Sequence, residues 1–469
     1  MSEDSSLVQE AFPSYTEDPI KFEAATTTLK DEVLYIVENA IPTVVTFSFQ
    51  FTFQVMAPIY FAGQHGDQYL AASSLSMAIF WITGPVIVNG FSTAMDTMCS
   101  TAYGAGSYDK VGLYYKKCVT ILILAFIPMS FFWLNSAPVI RLTTDDEDMV
   151  ALCDLYLKLM PFLAIPMVVF ECSKKFLQSQ NKFNVPTRIM LLGLPITFAL
   201  NHFLFDIGFL APPISLILGY WIITALILGY ICFIDGYQCW NPNTTMQQLF
   251  SDWAPFFDLG VPGVLMIMSE AFAFRIITFL SARFGPLAIE AQTIVTTVAS
   301  LSYQLPFSVG ICCSTRIANY IGARSGNYKM ALKCAIGAGW VLSFFNLAWM
   351  SLLRYPIAKI FARDEKLIEL SARLFIVVAI NQFLDSINII CAALLRSQGR
   401  QNVGSVLSLL CYYVVATPIG VVAAFPFGLQ VYGLWFGLAI GVGILSIAEL
   451  MLVLKTDWMA ILKKSTNIV

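Results

Sequence analysis

The chain is short of charge. Of its 469 residues only 12% are Asp, Glu, Lys or Arg, about half the share of an ordinary soluble domain. Histidine is nearly missing, with His65 and His202 alone, and no basic run exceeds a pair of residues. A net charge of −3 and the want of basic clusters exclude nucleic acid as a partner. The 11 cysteines are scattered with no CxxC spacing, so they read as small buried thiols rather than a disulfide framework. Two distant histidines give no metal site. The absence of a Gly-rich phosphate loop argues against direct ATP hydrolysis. The absence of a nucleophile motif argues against an enzyme, and no cofactor is implied. The opening stretch MSEDSSLVQEAFPSYTEDPIKFEAATTTLKDE lacks the basic and apolar regions of a cleaved signal peptide and reads as a disordered cytosolic tail over 1–35.

What the chain has instead is long apolar runs. Hydrophobic residues make up 58% of it and mean hydropathy is +0.72. A helix needs about 20 apolar residues to cross hydrocarbon. On that length the sequence predicts an all-α polytopic membrane protein with spans near 36–61, 69–97, 111–136, 150–172, 186–206, 211–234, 256–283, 288–313, 329–352, 368–393, 403–425 and 430–454. Lys and Arg collect at the two ends and in the loops after even-numbered spans, among them Lys116, Lys117, Lys174, Lys175, Arg316 and Arg400. That bias puts both termini in the cytosol. The sequon at Asn243 then falls on the side where no glycan is added.

The spans repeat as two sets. ENAIPTVV in the first matches DLGVPGVL in the seventh, placing Pro42 against Pro262. TAYGAGSYDK matches NYIGARSGNYK, placing Gly104 against Gly322. The acidic loops TTDDED and ARDEK set Asp145 against Asp364, and FLQSQNK and LLRSQGRQ set Gln178 against Gln398. All four landmarks hold a separation of about 220 residues, in order. The organisation expected is a six-helix bundle at 36–234, a cytosolic linker at 235–255, a second bundle at 256–454 and a cytosolic tail at 455–469. Parallel repeats of this kind relate by an axis along the membrane normal, and in transporters the substrate lies near the midplane between them. Rocking of one half against the other would alternate access.

Six stretches, MDTMCSTAYGAG (95–106), LQSQNKFNVPTRI (177–189), SEAFAFRIITFLSARFG (269–285), EAQTIV (290–295), STRIANYIGA (314–323) and LLRSQGRQNVGS…YYVVATPIG (394–420), fall in order through both halves. In this set the chain resembles the multidrug and toxic-compound extrusion (MATE) family, in its eukaryotic, fungal-like branch. The resemblance implies twelve helices in a V-shaped pair of bundles and an antiporter that exports organic, often cationic, xenobiotics in exchange for H⁺ or Na⁺. It carries over an acid at Glu270 in the seventh span and another at Asp385 in the tenth. The family's E-W-W-x-x-E pattern is broken here: Ala271 and Phe272 replace its tryptophans, and Arg275 stands where it has a second acid. A further acid of some animal members aligns with Thr297 and is absent. The proton-coupling set is thereby reduced to Glu270 and Asp385.

Glu270 lies at the middle of its span. A carboxyl withdrawn from water there can take a proton from one side and release it to the other, and when ionised it can pair with a cationic substrate. Because the two ligands exclude each other, one such site suffices for exchange. Its repeat equivalent is Gln50, with Gln54 one turn on; these can hydrogen-bond a substrate but cannot titrate, so proton coupling is expected in the C-terminal half. Asp385 is read either as a second proton site or as the partner of Arg275. Arg275 is about 140° around the helix from Glu270, so the two do not share a face. If Arg275 lines the cavity, it favours anionic or zwitterionic cargo. Trp81, Phe272, Phe274 and Tyr303 are aromatic candidates for the cavity wall. Asp96 and Arg316 occupy equivalent places and are candidates for an inner gate. Expected partners are a small organic substrate, the coupling ion and the bilayer, with the chain acting as a monomer in a plasma or vacuole-like membrane. The rival readings are a flippase for lipid-linked substrates on a related fold and, last, a membrane enzyme.

Overall fold

The computed structural model describes residues 22–240 and 243–466. Each expected span falls on a helical segment, numbered here α1 to α12: Leu29–Gly63, Asp67–Gly104, Tyr108–Leu134, the bent pair Glu147–Leu157 and Met160–Ser179, Asn184–Phe203, Phe205–Phe233, Ala254–Phe284, Pro286–Gly322, Tyr328–Leu352, Glu365–Ser397, Gln401–Ala424 and Gln430–Leu454. Among the described residues, ten helices are long and apolar enough to cross a membrane, and the α4 pair, bent by 43°, makes up to eleven. The remaining expected span, α5, is a 20-residue helix carrying Asn184, Thr187, Arg188, Asn201 and His202, which leaves it more polar than the rest.

Local sequence sets the helix ends. The two acidic loops that mark the repeat are helix caps: Asp146 accepts from the backbone N–H of Asp148 at 3.0 Å and of Met149 at 3.3 Å, and Asp364 accepts from Lys366 N–H at 3.4 Å. Such caps are worth about 1 kcal/mol each. Thr28 caps α1 in a reciprocal box with Asp31. Within α1 and α11 the coil loosens into π-turns at Thr52–Met56 and Leu410–Ala416, a distortion often found at functional sites.

The tail expected over 1–35 is corrected where it is described; residues 1–21 of it lie outside the described residues. Residues 22–28 have no regular structure beyond an isolated bridge between Glu23 and Ser325, but they run along the C-terminal half. Glu23 N–H donates to Arg324 O at 2.7 Å, Gly326 N–H donates to Glu23 O at 2.9 Å, and Thr26 N–H donates to the Asn327 side chain at 2.6 Å. These backbone hydrogen bonds and a Phe22–Tyr328 ring contact at 4.5 Å hold the segment in place although most of it stays exposed. At the other terminus a short helix, Trp458–Ser465, docks on the same end through Trp458 against Tyr328 at 4.3 Å.

The halves meet at one end only. A Cβ on Gly104 of α2 would lie 2.0 Å from Asn319 O of α8, and one on Gly322 would lie 1.9 Å from Thr101 O. These are the repeat-equivalent positions, so each helix uses its glycine to admit the other's backbone, as a two-fold axis between the halves requires. Nearby, Phe47 packs edge-on against Phe307 at 5.1 Å, Phe91 against Phe257 at 5.6 Å, and Thr97 Oγ1 donates to Arg396 O at 2.5 Å. Among the described residues, the hydrogen bonds and ring contacts between halves all lie at this end, where residues 22–28 and the helix Trp458–Ser465 also dock; none joins 50–83 to 265–306.

Candidate functional site

The C-terminal half encloses a small polar chamber. Glu270 of α7 faces it with Tyr303 and Phe307 of α8, Asn388 and Arg396 of α10, Tyr412 of α11 and Glu449 of α12. Tyr412 is presented by the π-turn of α11, and Tyr303 stacks on Phe307 at 5.3 Å. Asp385, buried on α10 one turn before Asn388, accepts from Asn388 Nδ2 at 3.3 Å through Oδ1, while its Oδ2 has no protein partner. Glu270 lies within electrostatic reach of Asp385, Arg396 and Glu449. Two carboxyls and one guanidinium therefore line the chamber, with Asp385 as a third carboxyl beside it, and among the described residues no ion pair closes any of them. Its volume is about 30 Å³, room for water or an ion but not for an organic molecule.

The matching region of the N-terminal half is closed and paired. Lys174 Nζ of α4 meets Glu171 Oε2 at 2.6 Å and donates to Gln50 Oε1 at 2.8 Å; Gln50 Nε2 in turn donates to Glu171 Oε1. Gln50 thus completes an ion-pair network between α1 and α4 with both of its polar atoms engaged. Gln54, in the α1 π-turn, is buried with Nε2 at 3.7 Å from Met167 Sδ, away from any free space. A second buried pair, Lys175 Nζ to Asp96 Oδ1 at 2.7 Å, ties α4 to α2.

The gate expected between Asp96 and Arg316 does not form. Asp96 is spent on Lys175, and Arg316 pairs with Glu32 of α1 at 3.2 Å, its guanidinium lying over the Tyr35 and Tyr320 rings at 4.1 and 4.6 Å. Tyr320 also donates to Glu32. Each charge is satisfied by a different partner: Lys175, on the helix next to α2 in the same half, holds both oxygens of Asp96, at 2.7 and 2.8 Å. A charge pair does join the halves at the closed end, but it is Glu32 with Arg316. Neither is Asp385 the partner of Arg275, since it faces Asn388 inside the bundle.

Arg275 is exposed and, among the described residues, has no ion pair or hydrogen bond. It lies about three helical turns beyond Val264, the residue against which Gly90 of the other half packs, so it continues the α7 face that looks toward the N-terminal half. Thr293 and Ser300, both exposed, lie about four and two turns before Phe307 on α8 and continue its inter-half face in the same way. Arg275 therefore borders the gap where the halves diverge. Phe272 is exposed at 37% and Phe274 packs on Trp435 at 5.8 Å, so Phe274 is core rather than wall. Trp81 is half-buried on α2 and lines neither the chamber nor the paired network.

Several buried charged residues are not singled out as site residues by the sequence, among them Glu449, Glu171, Lys174, Lys175, Arg396 and Glu32. The first had a signal. SIAELMLV places a lone acid in α12, the most hydrophobic of the spans by its best window, at 2.3, where a charge is costly and seldom idle. FECSKKF likewise shows an acid three residues before a lysine, a helical neighbour pair, though the two lysines had been read only as a cytosolic charge marker.

Comparison with known proteins agrees with this geometry. The MatE family model matches residues 42–203 and 262–422, one match in each half. The chain is 29% identical over 437 residues to a transporter of Saccharomyces cerevisiae, covering 92% of this chain and 62% of that one, so it spans under two thirds of that relative's length. It is 30% identical over 433 residues to a transporter of Schizosaccharomyces pombe, covering 91% and 80%, and 27% identical over 406 residues to multidrug and toxin extrusion protein 1 of Homo sapiens, covering 85% and 70%. The crystal structure of a eukaryotic MATE transporter superposes with a TM-score of 0.87 at 22% identity, over 94% of this chain and all of that one. With a family match in both halves and a common fold, the chain is a multi-pass membrane protein that belongs to the MATE family of transporters, which are not enzymes.

Proposed function

We propose that this protein is a secondary antiporter that exports small organic compounds in exchange for protons, with Glu270 and Asp385 at the chamber as coupling residues and the gap between the halves as the substrate path. The observation that carries the reading is the chamber itself: carboxyls that outnumber the one guanidinium among them and form no ion pair with it, in a space that admits a proton or water but not the cargo. A buried carboxylate with no partner is expensive, so the chamber favours a state in which protons have entered. Substrate must then lie outside it, in the gap above the Phe47–Phe307 contact, where Arg275, Thr293 and Ser300 supply polar groups. Arg275 favours cargo that carries an anionic group, since a lone guanidinium repels simple cations and binds carboxylate or sulfate well.

With both termini in the cytosol, the closed end is the cytosolic one and the gap opens to the far side. Chamber and gap both come from a single chain, which supports a monomer as the working unit. The test is transport in vesicles holding the purified protein, loaded with a fluorescent organic anion or a fluorescent organic cation. Efflux should follow an imposed pH gradient and disappear in Glu270→Gln, with the anion exported faster than the cation. Export driven by an imposed Na⁺ gradient alone, with no response to pH, would overturn proton coupling.

A further inference from the structure

Glu449 has no part in the two-carboxyl reading above, yet it is the most enclosed acid in the chamber. It is 0% exposed, it lines the same space as Glu270, and neither of its carboxyl oxygens has a protein partner. Two further buried groups in that space, Asn388 Oδ1 and Arg396 Nε, are also without partners, and Arg396 is only 6% exposed. Buried polar atoms are almost always hydrogen-bonded. Several orphans facing one small cavity therefore point to something that enters it, water and the protons it carries.

The charges can be counted from every helix packed around Glu449. Glu270 comes from α7, and Asp385 and Arg396 come from α10, with the Cys391 thiol nearby. Tyr412 and the Cys411 thiol come from α11, and Tyr303 closes the space from α8. Arg396 is the sole fixed cation among them. Three carboxylates against one guanidinium leave an excess of negative charge, and neutrality is reached when two of the three are protonated. The same count with Glu449 left out needs only one.

We propose that Glu449 is a third proton-binding residue of the exchange site, beside Glu270 and Asp385, so that the three carboxyls together load two protons against the fixed charge of Arg396. This rests on the proton-exchange reading and deepens it. On loading, an O–H bond forms at a Glu449 carboxylate oxygen with a proton delivered by chamber water. On release to the other side the same bond breaks and the proton returns to water, with no electron transferred.

The experiment uses the full-length protein in detergent, with protons themselves as the probe. Proton uptake per molecule is measured after a rapid drop in pH, and the infrared carbonyl band of protonated carboxyls is followed across the same range. Glu449→Gln should take up one proton fewer than wild type and lose one carboxyl's share of that band, and Glu449→Asp should restore the uptake while shifting that share of the band in frequency. Unchanged uptake and an unchanged band in Glu449→Gln would overturn the proposal, because a merely structural Glu449 stays in one protonation state. If Glu449→Gln fails to fold, the Asp variant decides: a band identical in every respect to wild type means Glu449 is not among the titrating groups. Vesicle efflux is scored separately. Normal proton uptake by a wild type that shows no pH-driven efflux would sink the antiport reading while leaving the titration of Glu449 standing.

Discussion

The two halves of this molecule share a fold and differ in how they treat buried charge. In the N-terminal half the buried acids Glu171 and Asp96 each have their own lysine: Glu171 with Lys174 at 2.6 Å and Asp96 with Lys175 at 2.7 Å. In the C-terminal half Glu270, Asp385 and Glu449 gather about the single cation Arg396, and no ion pair forms. A paired set is electrically complete and needs no visitor. An unpaired set is completed only by something that arrives. Duplication supplied one scaffold twice, and the placement of a few lysines gave one copy closed ion pairs and left the carboxyls of the other unpaired.

The largest expected effect follows from removing one member of a closed pair. Lys174→Met should strand Glu171 in the bilayer-embedded core at a cost of about 3–5 kcal/mol, read as a lower melting temperature of the purified protein. Adding Glu171→Gln to it should return most of the loss. In the C-terminal half Glu449→Gln removes a charge that has no partner, so its melting temperature should equal or exceed that of wild type. If both substitutions destabilised equally, the contrast between the halves would be false.

Next in size is the closed end. Gly322→Val places a side chain where Thr101 O lies 1.9 Å from an ideal Cβ, and neither backbone can give. The variant should hold the halves apart at that end, shortening distances between spin labels on the outer ends of α2 and α8 relative to wild type. Gly104→Val should do the same, because it is the repeat-equivalent contact.

A smaller effect is expected from Glu32→Gln. This keeps the shape of the Arg316 contact but removes its charge, and with Arg316 partly exposed the loss should stay near 1 kcal/mol. The readout is faster interconversion of the same spin-label distances at equal overall stability. The smallest change in stability but the clearest change in selectivity should come from Arg275→Ala. Its side chain has no partner to lose, so the melting temperature should hold, while export of the organic anion falls relative to the organic cation. An unchanged ratio would place Arg275 outside the substrate path.

Much of this was legible from residues alone because it depends on local pattern. Twelve apolar runs, the 220-residue offset and the glycine pair at 104 and 322 all lie on the surface of the text. Asp145 and Asp364 were correctly paired as landmarks, although their meaning is a helix cap, one residue later in the first half, rather than a site. Glu270 stood out since a single acid in a long apolar run is rare enough to notice. Glu449 obeyed the same rule but went unremarked, because neither the repeat nor any family pattern drew attention to it.

The sequence by itself determined what each helix is: its length, its caps, its apolar faces and the fact that six of them occur twice. Those follow from hydrogen bonding within one segment and from the cost of leaving backbone polar groups in lipid. It could not determine which charges meet, because an ion pair depends on distance between atoms far apart in the chain, and distance belongs to packing. Only the tertiary structure decided that Asp96 takes Lys175 and not Arg316, that Gln50 bridges Lys174 and Glu171, and that carboxyls from α7, α10 and α12 gather around one arginine.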